Sequence, residues 1–152
     1  MTFSIAVQIE DFDVGQEYSD LIAGDKSAGA VVFFVGRVRD VNDGKNITSL
    51  SLEHYAGMTE KILQQILDEA KNRWQLVSAR IVHRVGDLQL GDQIVFVGTM
   101  SVHREHAFQA AVFLMDFLKT RAPFWKKELN LEGKAGWVEA KNQDDEAVRR
   151  WD

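Results

Sequence analysis

The sequence predicts a mixed α+β fold in a single domain that spans residues 1–152. Apolar stretches of β type occur next to one another, with only short turn signals between them. Two long segments instead show the three- and four-residue apolar spacing of helices. Because the helices follow groups of strands and do not alternate with single strands, an α+β fold is favoured over a doubly wound sheet. At 152 residues, one domain with a sizeable core is expected.

The N-terminal third predicts two strands and one short helix. Strict apolar alternation over residues 3–9 is typical of a half-buried strand. Asp13 is a suitable N-cap for a helix that ends at Ile22. The continuous apolar run from Ala30 to Val35 predicts a central strand buried on both faces, and we expect this strand to extend to Arg39.

The middle of the chain predicts three further strands and one long helix. The strands are expected at residues 47–55, 79–85 and 94–102, all of which are rich in apolar and β-branched residues. Between the first two, a single apolar stripe over residues 58–74 predicts a helix that packs with one face on a sheet.

The C-terminal third begins with a second long helical pattern. Its apolar face recurs at helical spacing and consists of Ala107, Ala110, Ala111, Leu114 and Leu118. Pro123, the only proline, lacks a backbone donor and disfavours helical geometry at the residue before it, so the helix should stop at about Arg121. A short strand at residues 137–140 and a polar helix or tail at residues 144–151 complete the chain.

Composition narrows the classes of function. The formal net charge of −5 argues against general nucleic-acid binding, which requires a basic surface. The chain has no cysteine, so disulfides, thiolate metal sites and a cysteine nucleophile are excluded. The longest apolar run is too short to span a membrane, and no signal pattern opens the sequence. A cytoplasmic protein is therefore expected.

The histidines do not form a recognisable metal motif. His103 and His106 are three residues apart, but no Glu-x-x-His motif or cysteine accompanies them, so no metal site is expected. His54 and His83 fall on strand patterns, where a histidine is more often a hydrogen-bonded core or rim residue than a catalyst. A glycine-rich phosphate-binding loop is also missing from the sequence.

Basic residues occur at the ends of predicted elements, where binding sites are commonly built. Each one alone is more often a surface charge, but together they indicate a cationic pocket for a small anion. A lysine that is crowded by other cations and partly removed from water loses its proton more readily, which suits acid–base chemistry near neutral pH. The residues are Arg37, Arg39, His103, Arg104, Lys119, Lys126 and Lys141.

Helix geometry separates two of these cations. Arg104 and Lys119 lie on one side of the predicted helix, but they are about 22 Å apart along its axis. Two side chains so distant cannot both hold one small molecule, so either there are two subsites or antiparallel helices of two protomers share one site. We favour the shared site, because Phe108 and Met115 on the same side would form an apolar seam between protomers.

Four sequence motifs resemble those of the large, catalytic subunit of molybdopterin synthase. They are LEHY-x-GM at residues 52–58, HR-x-G at 83–86, GD at 91–92 and KTRAPFWK-x-E at 119–128, the last being long and the most specific. The resemblance extends over residues 29–128 and again over 137–140, and the two ends of the chain contribute little to it.

The resemblance implies a fold, an assembly and a reaction. Proteins of this family adopt an α/β-hammerhead-type fold, form homodimers and bind one small ubiquitin-like subunit per protomer, which gives a heterotetramer. The Gly-Gly tail of the small subunit carries a C-terminal thiocarboxylate and donates sulfur to cyclic pyranopterin monophosphate. Two rounds form the dithiolene of molybdopterin. The implied enzyme is a sulfurtransferase of molybdenum cofactor biosynthesis, with a pterin substrate and no cofactor.

The resemblance also implies site residues. Lys119 and Lys126 correspond to the catalytic lysines of the family. Two positions depart from the family pattern but stay basic: position 37 is often lysine there, and the counterpart of position 141 is commonly arginine. The implied substrate-contact positions are Arg37, Val38, Arg39, His103, Arg104, Lys119, Lys126, Lys127 and Glu128. Candidates for the tail channel or for contacts from the second protomer are Phe34, Met115 and Lys141.

Two functions from other classes remain open. A sensor module that binds a nucleotide or another small anion would use the same arginines without needing the lysines. A scaffold for a ubiquitin-like partner would bind the partner's tail but would tolerate replacement of Lys126. Product formation from the pterin precursor and a thiocarboxylated small subunit distinguishes an enzyme from both.

Overall fold

Two β-sheets and four helices form residues 3–42, 45–130, 135–138 and 142–152, which are the residues that the computed structural model describes. The predicted mixed α+β class is confirmed. The helices are α1 (Val14–Ile22), α2 (Met58–Arg73), α3 (Arg104–Thr120) and α4 (Asn142–Val148), and a 3-10 turn, Arg149–Trp151, follows α4. The strands are β1 (Phe3–Gln8), β2 (Ala30–Arg37), β3 (Val41–Asn42), β4 (Lys45–His54), β5 (Leu76–Arg84), β6 (Gly86–Gln89), β7 (Gln93–Ser101), β8 (Phe124–Asn130) and β9 (Ala135–Val138).

The first sheet carries the main hydrophobic core. Its strand order is β1-β5-β7-β2, with β1 and β5 parallel and the other neighbours antiparallel. On one face, Ile81 and Val97 pack with Leu67 of α2 and Leu114 of α3, and all four side chains are fully buried. Each such side chain contributes about 1.5–3 kcal/mol of transfer free energy. This layer holds both long helices in place.

The opposite face of the first sheet is covered by α1. Asp13 caps this helix as predicted, because its Oδ1 accepts a hydrogen bond from the Gln16 backbone N at 2.9 Å. Leu21 is the buried residue of the helix. A Cβ at Gly98 of β7 would lie only 2.8 Å from Leu21 Cδ2. The missing side chain at residue 98 therefore lets the helix approach the sheet.

The second sheet is built around β4. This strand pairs antiparallel with β3, β6 and β8, and β8 pairs antiparallel with β9. A small apolar cluster covers part of one face, and Ile94 of β7 packs against both this cluster and the main core. The two sheets are thus joined by apolar packing. The cluster consists of Val38, Leu50, Leu52 and Leu88.

The prediction of a central strand at residues 30–39 is wrong. β2 is an edge strand of the described sheet and pairs there with β7. Phe33 and Phe34 point to opposite faces, and each is 44% exposed. The strand also ends at Arg37, after a bulge, and not at Arg39. An apolar run indicates what covers the two faces of a strand, whereas lateral pairing decides whether the strand is central.

The C-terminal segment is helical, which is one of the two predicted possibilities. Its last turn is also anchored to the core, which was not predicted. The Trp151 ring packs edge-on against Trp74 and Phe113, with centroid distances of 5.5 and 5.4 Å. Its Nε1 donates to Asp116 Oδ2 at 2.6 Å, and its backbone oxygen accepts from Arg73 Nη2 at 2.8 Å. In a polar segment, this one aromatic residue supplies the anchor.

Candidate active site

The junction between α3 and β8 carries the two predicted catalytic lysines. α3 ends with Arg121 as its C-cap, so the predicted stop near this residue is confirmed. Pro123 follows, and β8 begins at Phe124. Lys119 is therefore in the last helical turn, where the helix dipole favours a cation, and Lys126 is the third residue of the strand.

A stacked pair of rings joins the two sheets at this junction. Phe124 of β8 lies against His83 of β5, with centroids 3.8 Å apart and an angle of 15° between the ring planes. His83 is 9% exposed, and its Nδ1 lies 2.8 Å from the backbone oxygen of Arg84. Because a carbonyl oxygen only accepts, Nδ1 is the donor, and Nε2 of the neutral ring is left as an acceptor.

His83 is within electrostatic range of both predicted lysines. Burial lowers the pKa of His83 to about 4, although the hydrogen bond to the Arg84 carbonyl acts in the opposite direction. The positive charges of Lys126 and Lys119 lower this pKa further, as does His54. Since such effects weaken with distance, both lysines must be near the imidazole. Lys119 and Lys126 thus share one neighbour, a histidine that is neutral at pH 7, and of the two Lys126 is half-buried whereas Lys119 is exposed.

Strand alternation places the predicted residues of β8 on two different faces. Lys126 lies directly opposite Leu52 of β4, and Glu128 lies opposite Leu50. Directly opposed residues of antiparallel strands project to the same side of the sheet. Because both leucines are buried, Lys126 and Glu128 project from the inner face, and each is half-buried. Lys127 projects from the other face and is exposed.

His54 belongs to this junction, although the sequence pattern assigned it no site role. It lies opposite Phe124 in the register of β4 and β8, with ring centroids 6.1 Å apart. Its Nδ1 is buried and has no hydrogen-bond partner within the described part of the chain. An unpaired buried polar atom is destabilising and is tolerated mainly where function requires it. The available signal was its place in the LEHY motif, at the end of a strand.

Residues 37–39 lie beside the same face of the second sheet. Val38 is 5% exposed and packs with the two leucines that oppose Lys126 and Glu128. Its backbone is also held, since its N donates to the Asp92 oxygen at 2.9 Å. The burial of Val38 therefore brings its two arginine neighbours to the edge of the lysine site.

The two arginines differ in their contacts. Arg37 Nε donates to the backbone oxygen of Gly91 at 3.1 Å, so its guanidinium is partly engaged by the turn between β6 and β7. Arg39 is exposed and follows the buried Val38 directly.

The N-terminus of α3 is far from the lysines of the same chain. His103 is the N-cap and Arg104 the first helical residue, and both are exposed. Lys119 is fifteen residues further along a continuous helix, which corresponds to about 22 Å. The structure therefore does not bring His103 and Arg104 to the lysine site of their own protomer.

One side of α3 exposes large apolar residues. Phe108 is 57% exposed and Val112 is 40% exposed, and Phe34 on the adjacent strand is 44% exposed. Met115, which was predicted for the same seam, is partly buried and packs against the main core. Helical projection places Met115 beside Phe108, and exposure along this side varies, since Met115 is partly buried whereas Phe108 and Lys119 are exposed.

Two further predictions concern Lys141 and the absence of a metal site. Lys141 lies outside the described residues. In the residues that are described, no group of three histidine, aspartate or glutamate side chains is arranged to hold a metal ion. None of the helices there is both long and apolar enough to cross a membrane.

Proteins similar to this chain come from molybdopterin biosynthesis. The solved structure of the molybdopterin biosynthesis MoaE protein from Burkholderia ambifaria MC40-6 is 47% identical, with a TM-score of 0.83, and the match covers 98% of this chain and 97% of that chain. A complex of subunits 1 and 2 of molybdopterin-converting factor from Helicobacter pylori 26695 shares the fold, at 24% identity, a TM-score of 0.73 and coverage of 90% and 91%.

The family itself is established by sequence. The model of the MoaE protein family matches residues 7–121, and the chain belongs to this family. The molybdopterin synthase catalytic subunit of Vibrio cholerae serotype O1 is 54% identical over 152 residues, which is the full length of both chains. The resemblance seen in the four motifs is thereby confirmed.

Proposed function

We propose that this chain is the catalytic subunit of a molybdopterin synthase, a sulfurtransferase of molybdenum cofactor biosynthesis. It transfers sulfur from the C-terminal thiocarboxylate of a small ubiquitin-like subunit to cyclic pyranopterin monophosphate and so forms the dithiolene of molybdopterin. The 54% identity to a molybdopterin synthase catalytic subunit over the full length of both chains carries this proposal, and the effect of both Lys119 and Lys126 on the pKa of His83 agrees with it. Two cations from different elements, one of them half-buried, suit an anionic substrate and an anionic donor.

Lys119 and Lys126 act on the acyl group of the sulfur donor. Their ammonium groups polarise the acyl carbon–oxygen bond and stabilise the charge that develops on its oxygen. The thiocarboxylate sulfur forms a new bond to a side-chain carbon of the pterin, and a carbon–oxygen bond at that carbon breaks. The displaced oxygen leaves with protons as water, or it stays on the phosphate when the cyclic ester opens. Water then cleaves the acyl–sulfur bond and leaves the tail with an ordinary carboxylate. The same lysines move the protons that these steps require.

The anionic groups of the substrate are held by Arg39 and, from a second protomer, by His103 and Arg104. The separation of about 22 Å along α3 requires the second protomer, because one substrate cannot bridge that distance. Exposed Phe108 and Val112, next to Arg104 on the helix, favour an apolar contact between the protomers of a homodimer.

The other predicted site residues take lesser roles. Val38 and Glu128 form part of the wall around Lys126, whereas Arg37 and Lys127 contribute positive charge at the edge of the site. Phe34 remains a candidate for the tail channel or the contact between protomers, and Lys141 for a contact from the second protomer. Met115 packs against the core, which makes it a support for α3.

A small ubiquitin-like subunit with a Gly-Gly thiocarboxylate is the proposed partner, in a heterotetramer of two catalytic and two small subunits. The name of the Vibrio cholerae relative, a catalytic subunit, favours such an assembly. The chain has no cysteine, so sulfur must be delivered by another molecule. No cofactor is needed for the proposed steps. A charged pterin phosphate does not cross membranes unaided, which favours a cytoplasmic location.

Reconstitution with the thiocarboxylated small subunit and the pterin precursor tests this function, with molybdopterin as the measured product. We expect Lys119→Ala to abolish turnover and to leave binding of the small subunit largely intact. Lys26→Ala, at an exposed position in the loop between α1 and β2, is the matched control and should be fully active.

The same assay separates the rival functions. A wild-type protein that binds the pterin without forming product would indicate a sensor. A protein whose Lys126→Ala variant still supports every activity of the wild type would indicate a scaffold. Loss of small-subunit binding in Lys119→Ala would mark this lysine as an interface residue.

A further inference from the structure

We propose that the ring pair His83–Phe124 is a positioning device that holds Lys126 in its place beside Lys119. This role rests on the proposed function, because it concerns the geometry of the two lysines during sulfur transfer. His83 and Phe124 act through the strand that carries Lys126 and are positioning residues, not catalytic ones.

The chain itself links Phe124 to both lysines. Phe124 and Lys126 are two residues apart on β8, so their side chains project from the same face, about 7 Å apart along an almost rigid strand. Pro123 and the short connection after Arg121 join the same ring to the last turn of α3, which carries Lys119. Any displacement of Phe124 therefore moves Lys126 relative to Lys119.

The ring of Phe124 is fixed from the first sheet. It stacks on His83 at 3.8 Å and 15°, and it also packs against the main core. His83 in turn is buried in the central part of the first sheet, and its Nδ1 donates to the Arg84 carbonyl, which restricts rotation of the imidazole. The ring stack thus fixes the position of the second sheet relative to the first, next to Lys126.

The chemistry of the ring at position 83 suits this location. The charged and titratable groups that face it are Lys126 on β8, Lys119 on α3 and His54 on β4, all of which oppose a further positive charge. A neutral imidazole offers a flat surface for Phe124 without repelling the lysines. An aliphatic side chain would fill the volume but would leave the Phe124 ring free to tilt.

Steady-state kinetics of five variants in the reconstituted enzyme, one of them a control, tests this role. His83→Leu removes the ring that the first sheet contributes to the stack, and Phe124→Leu removes the ring that the second sheet contributes. In each we expect kcat to fall by about 10- to 100-fold, because small displacements of reacting groups have effects of this size. The KM for the pterin should stay within about threefold, since the anion-holding residues are untouched. His83→Phe, which keeps a flat neutral ring, should restore kcat to within about threefold of the wild type.

A double variant and a matched control complete the test. His83→Leu combined with Phe124→Leu should be no slower than either single variant, because one stack is lost in all three. The control is Phe33→Leu. It removes another stacked ring pair, Phe33–Phe96, whose centroids are 5.7 Å apart on the side of the first sheet that faces α1. This variant should have the kcat of the wild type. Thermal unfolding of each variant verifies that the protein is folded at the assay temperature.

Different failures have different meanings. Full kcat in both leucine variants, equal impairment of His83→Phe and His83→Leu, or losses that multiply in the double variant would each overturn the positioning role. A wild-type enzyme that forms no molybdopterin would instead refute the proposed function. If one leucine variant does not fold, the kcat values of His83→Phe and of the other leucine variant still show whether the ring pair positions Lys126.

Discussion

Lowering the pH is expected to destabilise this protein because His83 is buried in its neutral form. Burial lowers the pKa of His83 from 6.5 to about 4, and the charges of Lys126 and Lys119 act in the same direction. In the unfolded chain the imidazole is in water and binds a proton at about pH 6.5. The unfolded state therefore binds more protons between these two values, and the free energy of unfolding decreases as the pH falls through them.

The size of the effect follows from the two pKa values of His83. Above about pH 6.5 the neutral ring contributes its full stability. At about pH 5.5 the free energy of unfolding should be lower by roughly 1 kcal/mol, and below about pH 4 the loss should level off at about 3 kcal/mol. Domains are stable by roughly 5–15 kcal/mol in total, so the loss is a considerable fraction.

Urea unfolding of the wild type and of His83→Phe at several pH values measures this contribution. The variant keeps a ring against Phe124 but has no group to protonate, so every other titrating group contributes equally to both proteins. Between about pH 8 and 5.5, the wild type should lose roughly 1 kcal/mol more than the variant. An equal pH dependence of the two proteins would show that His83 does not titrate as a buried neutral group and would refute the reasoning.

Two further predictions concern the assembly and the C-terminus. If each site takes Arg104 from a second protomer, mixing the inactive variants Arg104→Ala and Lys119→Ala should restore part of the activity through mixed dimers; mixtures as inactive as either parent would contradict the shared site. Trp151→Ala removes the ring contacts to Trp74 and Phe113 and the hydrogen bond to Asp116, so we expect chemical denaturation to show a loss of about 3 kcal/mol. The control Trp125→Ala replaces a ring that is 40% exposed and should have less than half this effect, and equal losses would argue against the anchor.

Local patterns predicted the elements well where one face of an element is buried. The helices α2 and α3 lie within a residue or two of their predicted ends, because an apolar stripe and Pro123 are local signals. The edge position of β2 was missed, because the same apolar run suits a central strand and an edge strand whose two faces are partly covered. The anchor at Trp151 was missed because it is one residue in a polar segment and its partners are remote in sequence.

The candidate site shows the same division. The basic residues and the motif around Lys119 and Lys126 could be identified from the sequence, since residue type and spacing carry that information. The different faces of Lys126 and Lys127 follow from strand alternation, but only the register with β4 shows which face is the inner one. No sequence pattern links His83 with Phe124, because these residues are 41 positions apart and on different sheets.

By itself, the sequence determined the fold class and the family and pointed to the two candidate lysines, because these depend on periodicity and on contiguous motifs. Only the tertiary structure decided that a buried neutral histidine lies within electrostatic range of both lysines, that Met115 is partly buried while Phe108 is exposed, and that β2 lies at an edge. These features depend on contacts between residues that are distant along the chain. Burial and electrostatic effects act through space, so they are set when the two sheets and α3 pack together.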